Sequence, residues 1–185
     1  FARITNCDGT LDTPAGLIGI SVDSAPGTRV AGCTMSLTRV PWVAELPLGV
    51  SVNASNDVSV VDCTISGFLN TVAVTGSGVA AAGVCDRLTV RGGAIVSTAI
   101  GVRTTNSGSD GTVVSGVDIR SVVTGVDLAG PGAAVTDCQI EVDTSIGLNG
   151  VLVAGRVSRV TSCSIINGRA TGSYLFAESP TGILL

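Results

Sequence analysis

Two acidic residues, Asp118 and Glu141, sit in closely related settings, "VSGVDIRS" and "VTDCQIEV", and are the first candidates for chemistry. If both face outward on neighbouring strands, displaced by two residues, their carboxyl groups stand about 8 Å apart from strand spacing and rise. That gap suits an inverting glycoside hydrolase, in which one carboxyl protonates the leaving group and the other activates water. Asp127 is a third carboxylate for the same set. Arg103 and Arg120 would bind an acidic sugar, and Gln139 would hydrogen-bond its hydroxyls. The same residues have a plainer and weightier reading as cross-strand ion pairs, Arg120 with Glu141 and Arg103 with Asp127, that neutralise the surface. Trp42, the single Trp, lies in the Pro-flanked stretch "RVPWVAELP" from Arg39 to Pro47. That stretch is expected to leave the coil as a loop, where an indole stacks on a sugar ring, packs on a neighbouring subunit, or folds back on its own coil.

The elements that position these residues follow from a repeat. The frame V-x-x-C-x-I appears as "VAGCTM" (Val30–Met35), "VVDCTI" (Val60–Ile65), "VRGGAI" (Val90–Ile95), "VSGVDI" (Val114–Ile119), "VTDCQI" (Val135–Ile140) and "VTSCSI" (Val160–Ile165), with a weaker copy around Cys7. Its fourth position falls at residues 7, 33, 63, 93, 117, 138 and 163, giving intervals of 26, 30, 30, 24, 21 and 25 residues. Periods of this size mark a solenoid. A second motif, "GISV" at Gly19, "GVSV" at Gly49, "GVRT" at Gly101, "GVDL" at Gly125 and "GVLV" at Gly150, reads as a short strand entered through a glycine that supplies turn geometry. Loops such as "TTNSGSDG" and "LAGPG" separate the strands.

The frame predicts that its Val, Cys and Ile point inward. Cys7, Cys33, Cys63, Cys138 and Cys163 then share one interior column, with Gly93 and Val117 substituting. Cys serves there as a small apolar side chain. Disulfides between neighbouring rungs stay open on reach alone. Cys85 lies outside the column and is the expected exposed thiol. The outward rows are Thr34, Ser36, Thr64, Ser66, Ala94, Val96, Asp118, Arg120, Gln139, Glu141, Ser164 and Ile166, with Ser21, Ser51, Arg103, Asp127 and Leu152 on the second strand.

Composition agrees with stacked strands. The 185 residues include 25 Gly, 45% hydrophobic residues, 3% aromatic and 13% charged, with a mean hydropathy of +0.57. Small and β-branched residues therefore carry the burial. With a net charge of −4, a pI near 4.6 and no Lys, the chain lacks the basic face of a nucleic-acid binder. No apolar run reaches the roughly 18 residues of a membrane helix, so membrane insertion is not expected. Phe1 in place of Met points to a processed chain or an excised fragment, and the absence of a cap before Cys7 to excision from a longer chain or to ends covered by partner subunits. The whole of 1–185 reads as a single domain of about seven coils, with 172–185 as a last irregular coil or cap.

This pattern resembles the right-handed parallel β-helix of the pectate-lyase-like superfamily over practically the whole chain, an all-β fold. Pectate lyases of this fold use calcium-binding aspartates with a basic Arg or Lys, and of the chemistries the resemblance implies only carboxylate or calcium-assisted ones survive. With no His and no Lys, the residue set of polygalacturonases cannot be assembled, and the Tyr and His constellation of mannuronan epimerases is missing as well. Ser-His-Asp and Cys-His catalysis fall with the missing His, as does the usual zinc site. No metal or cofactor is expected. The bare coils and Ser/Thr/Gly-rich faces look like the shaft of a bacteriophage tailspike or adhesin. That resemblance implies a homotrimer on a virion tail or extracellular surface that recognises a cell-envelope polysaccharide. Two further readings stand beside it, a polysaccharide hydrolase or lyase acting through Asp118, Glu141 and Asp127, and a purely structural spacer.

Overall fold

The computed structural model describes residues 2–12, 18–38, 46–70, 75–142, 149–153 and 158–167; Trp42 and the segment 172–185 lie outside them. Every regular element among the described residues is a β-strand, so the all-β expectation holds. No helix there is long and apolar enough to cross a membrane. The strands stack as a parallel solenoid. One side is a seven-stranded sheet in the order Arg3–Thr5, Arg29–Ala31, Ser59–Val61, Thr89–Arg91, Val113–Ser115, Ala134–Thr136 and Arg159–Thr161. The second side begins just after the frame's fourth position, and a third begins at the glycine motif. Ala94–Thr104 and Asp118–Leu128 run through the corner between them, which merges these two sides into one eleven-stranded sheet.

The frame predicts about seven coils, whereas the chain makes about five. The frame counts every strand of the first side, including the two end strands, and among the described residues those have a rung on one side only. Five described rungs are flanked above and below.

The corner inside the frame explains its spacing. In a strand, residues i and i+3 face opposite ways, yet Val30 and Cys33, or Val135 and Cys138, are all buried. The residue before the Cys position restores the inward direction by adopting left-handed backbone. Asn6, Gly32, Asp62, Gly92, Gly116, Asp137 and Ser162 all have φ between 51 and 62°. Gly, Asn and Asp tolerate this region best, which accounts for most of the residues found there. The bend keeps the ladder intact, since Gly32, Asp62 and Gly92 still donate their N–H to Val61, Arg91 and Ser115 carbonyls at 2.8–2.9 Å.

The second motif's glycines have a different role from the turn geometry expected of them. Their backbones are not left-handed; what they provide is room. A Cβ on Gly49, Gly78, Gly101 or Gly125 would collide with Cγ2 of Ile65, Ile95, Ile119 or Ile140 and with the carbonyl oxygen of the next glycine up the stack. The frame's Ile thus lies across a Cβ-free strip, and each buried Ile contributes about 1.5–3 kcal/mol of burial. Gly78, in the strand Ser77–Ala82, belongs to the same column.

The cysteine column is confirmed in its centre, where Cys33, Cys63, Val117 and Cys138 are buried. Cys7 is exposed and Cys163 partly buried because they lie on the end rungs. At Gly93 the column closes up. Its φ is 75°, and a side chain there would meet the Cys63 backbone. All six thiols are free.

Cys85 overturns the expectation of an exposed thiol, being fully buried. It belongs to a second inward column with Ala25, Ser55, Ser109 and Gly130, each just before the turn that leads back to the first side. Ala25 and Cys85 donate their N–H to Ser55 Oγ (2.9 Å) and Ser109 Oγ (3.0 Å) respectively.

Gly101→Ala is expected to cost about 1–3 kcal/mol by overpacking, because its Cβ would face Gly125 O at 2.5 Å as well as Ile119. Gly9→Ala, with nothing within 4 Å, should change stability by less than about 0.5 kcal/mol. Urea-denaturation midpoints of the two variants check the contrast.

Candidate functional site

The outward rows predicted from the frame are in place. Along Asp118–Arg120 the middle residue, Ile119, is buried, which turns its neighbours out; Ile140 does the same for Gln139 and Glu141. The parallel register sets Asp118 beside Gln139 and Arg120 beside Glu141. These four side chains form one polar patch, with Ala94 and Val96 on the rung before and Ser164 and Ile166 on the rung after.

Arg120 holds the patch together. Its Nη2 donates to Asp118 Oδ2 at 3.3 Å, and its Nε lies 3.8 Å from Glu141 Oε2. The predicted displacement of the two carboxylates by one rung and two residues is correct, and the guanidinium occupies the space between them. A hydrolytic water would have to take that position. Asp118 Oδ1 is buried with no hydrogen-bond partner.

Arg103 and Asp127 form a second cluster nine residues further along the Asp118–Leu128 strand and its neighbour. They are directly paired in the register, with Arg103 Nε 3.4 Å from Asp127 Oδ2. This is an ion pair by distance without hydrogen-bond alignment, as Arg103 Nε has no hydrogen-bond partner. Burial pushes the Asp127 carboxyl above the ordinary range, and the Arg103 charge opposes this only in part. Arg103 also borders a groove of about 330 Å³ whose walls are mainly small or apolar, among them Leu46, Leu48, Ala80 and Ile100. The structure therefore divides the predicted site residues between two places. Trp42 lies outside the described residues and joins neither.

A further ion pair escaped the sequence reading. Arg87 donates through Nε and Nη2 to both carboxylate oxygens of Asp57, at 2.6 and 2.8 Å, on an exposed turn. That bonding holds the Asp57 carboxyl below its usual range. The signal was present, since the two residues are 30 apart, one full repeat in this part of the chain. Among the described residues no group of three or more His, Cys, Asp or Glu is arranged to hold a metal ion.

These features define an all-β parallel solenoid with paired charges on its outer faces. No family model, curated protein or solved structure matches the chain. The parallel solenoid is therefore defined by this chain's own strands and register.

Asp127 and Asp57 should titrate with opposite effects. A carboxyl whose folded value is raised binds more protons in the native state, so its contribution to stability falls as pH rises from about 4, the unfolded Asp value. The melting temperature of wild type relative to Asp127→Asn should accordingly drop across that window. Asp57 contributes stability that is present above the unfolded value and lost as pH falls through its depressed folded value. Arg87→Ala should remove this acid-side loss, and thermal melts over a pH series measure both effects.

Proposed function

We propose that this chain is a right-handed, pectate-lyase-like β-helix that binds a bacterial cell-envelope polysaccharide on its outer face, as part of a tailspike-like homotrimer on a virion tail or extracellular surface. The hand follows from the near-universal right-handedness of crossovers between parallel strands. The observation that carries the binding reading is the patch of Asp118, Arg120, Gln139 and Glu141. It presents planar donors and acceptors on a flat face at the inter-rung spacing of about 4.8 Å. A sugar offers hydroxyls that both donate and accept, and such a row can satisfy them in pairs. Beyond the rung of Ala94 and Val96, rows of Thr and Ser (Thr64 with Thr34, Ser66 with Ser36) continue the outer face with little charge.

Arg120 between the two carboxylates favours binding over acid–base cleavage, because the guanidinium stands where the water would act. In this reading Arg120 is the central contact, Asp118, Glu141 and Gln139 are its neighbours, and Arg103 with Asp127 is a separate charged position. The fold itself favours no single activity.

Titrating the chain against a panel of bacterial envelope polysaccharides should give binding to a member of the panel, and Arg120→Ala should weaken that binding about tenfold or more, as loss of a charge-assisted contact does. Wild-type binding unaffected by Arg120→Ala would remove the patch as the site. Release of new reducing ends in the same samples would convert the reading to a hydrolase or lyase using Asp118 and Glu141. A monomeric mass would remove the trimer.

A further inference from the structure

The register that aligns the frame also makes Cys138 and Cys163 direct neighbours. Thr136 pairs with Thr161 and Gln139 with Ser164, and Ser164 donates its N–H to Cys138 O at 2.9 Å. Neighbouring parallel strands lie about 4.8 Å apart, within the Cα window for a disulfide, although the Cβ atoms must close to about 3.5–4.5 Å. The rung of Cys163 has a partner on one side only among the described residues.

The two thiols are unequal in ways that suit sequential chemistry. Cys138 is 2% exposed, whereas Cys163 is only partly buried. On its other side Cys138 stacks on Val117, so Cys163 is its only thiol neighbour in the column. Cys33, by contrast, stands between Cys7 and Cys63. The neighbouring Cys138 thiol lowers the Cys163 thiol to about 7, against the opposing effects of burial and the Asp137 carboxylate. Cys163, followed by burial, pushes Cys138 up, and the Cys138 S–H donates to the Thr136 and Val114 carbonyls at 3.2 and 3.7 Å. At the other end the Cys7 thiol is raised, with Cys33 beside it in the column, so the most exposed thiol is the weaker nucleophile.

We propose that Cys163 and Cys138 are a thiol–disulfide modification site, in which Cys163 reacts with a low-molecular-weight disulfide and Cys138 resolves the adduct into an intrachain bridge across neighbouring rungs. In the first step the Cys163 thiolate attacks one sulfur of the small disulfide; a new S–S bond forms, the old one breaks, and one small thiolate leaves and takes up a proton. In the second step Cys138 loses its proton to solvent and attacks Cys163 Sγ, releasing the second small thiol. Two protein thiols are oxidised, one small disulfide is reduced to two thiols, and no other reagent is consumed. The bridge staples the Cys163 rung to the coil before it.

The test uses the full chain with oxidised glutathione at pH 7, quenching by alkylation, and peptide mapping by mass spectrometry over time. The expected first product is the Cys163 adduct, followed by the linked Cys138–Cys163 peptides and a rise of several degrees in melting temperature that dithiothreitol reverses. In Cys138→Ala the adduct at Cys163 should persist, with Cys163 alkylated severalfold more slowly; Cys138→Ser, which keeps a hydrogen-bond donor, should restore much of that rate. Wild-type Cys163 should react severalfold faster than Cys7. Faster reaction at Cys7, a Cys7–Cys33 bridge appearing first, or a wild-type adduct at Cys163 that never resolves would each overturn the proposal. Far-UV circular dichroism of both variants separates loss of reactivity from loss of fold.

Discussion

The in-register hydrogen-bond ladder between coils is the constraint on which the rest of this protein depends. Each backbone N–H of a strand meets a carbonyl on the neighbouring coil, so successive coils stack at about 4.8 Å with equivalent residues directly above one another. Whatever occupies a position must tolerate its counterpart on both sides. Columns result: left-handed Asn, Gly, Asp and Ser at one corner, Gly against Ile at the start of the third side, and Cys with Val in the narrow interior. Insertions between coils change the repeat length from 21 to 30 residues without disturbing the columns, because loops absorb them outside the ladder.

The glycine and isoleucine columns show how tightly the interior is interlocked. An Ile on the second side fills the volume that a Cβ would take on the third, so the two positions depend on each other across the corner. Close-packed interiors tolerate added atoms poorly. The requirement therefore falls on size at the glycines rather than on backbone freedom, while at the frame's corner it falls on backbone freedom.

Outside, the same stacking brings charges together whatever their later use. Arg120 meets Asp118 and Glu141, Arg103 meets Asp127, and Arg87 meets Asp57, each within one rung of its partner. Exposed pairs of this kind add little to stability, and on a chain with few charges they concentrate polarity on a small part of the surface. Inside, one rung's Cys differs from the next in exposure though both occupy the same column.

The repeat frame alone determined the all-β solenoid, the inward Val, Cys and Ile, and the outward positions of Asp118, Arg120, Gln139 and Glu141, because an inter-strand ladder turns sequence period directly into spatial register. The second inward column was legible too, since Ala25, Ser55, Cys85, Ser109 and Gly130 follow the same intervals as residues 33, 63, 93, 117 and 138, yet a single frame gives no direction to side chains beyond the next corner. Only the tertiary structure decided that Cys85 is buried, that the second-motif glycines make room for Ile, that about five turns are formed, and that Arg120 fills the gap between two carboxylates. Each of those depends on where atoms from different coils meet. Spacing along the chain specifies which residues are neighbours, whereas their side-chain volumes and conformations specify what the neighbours do to one another.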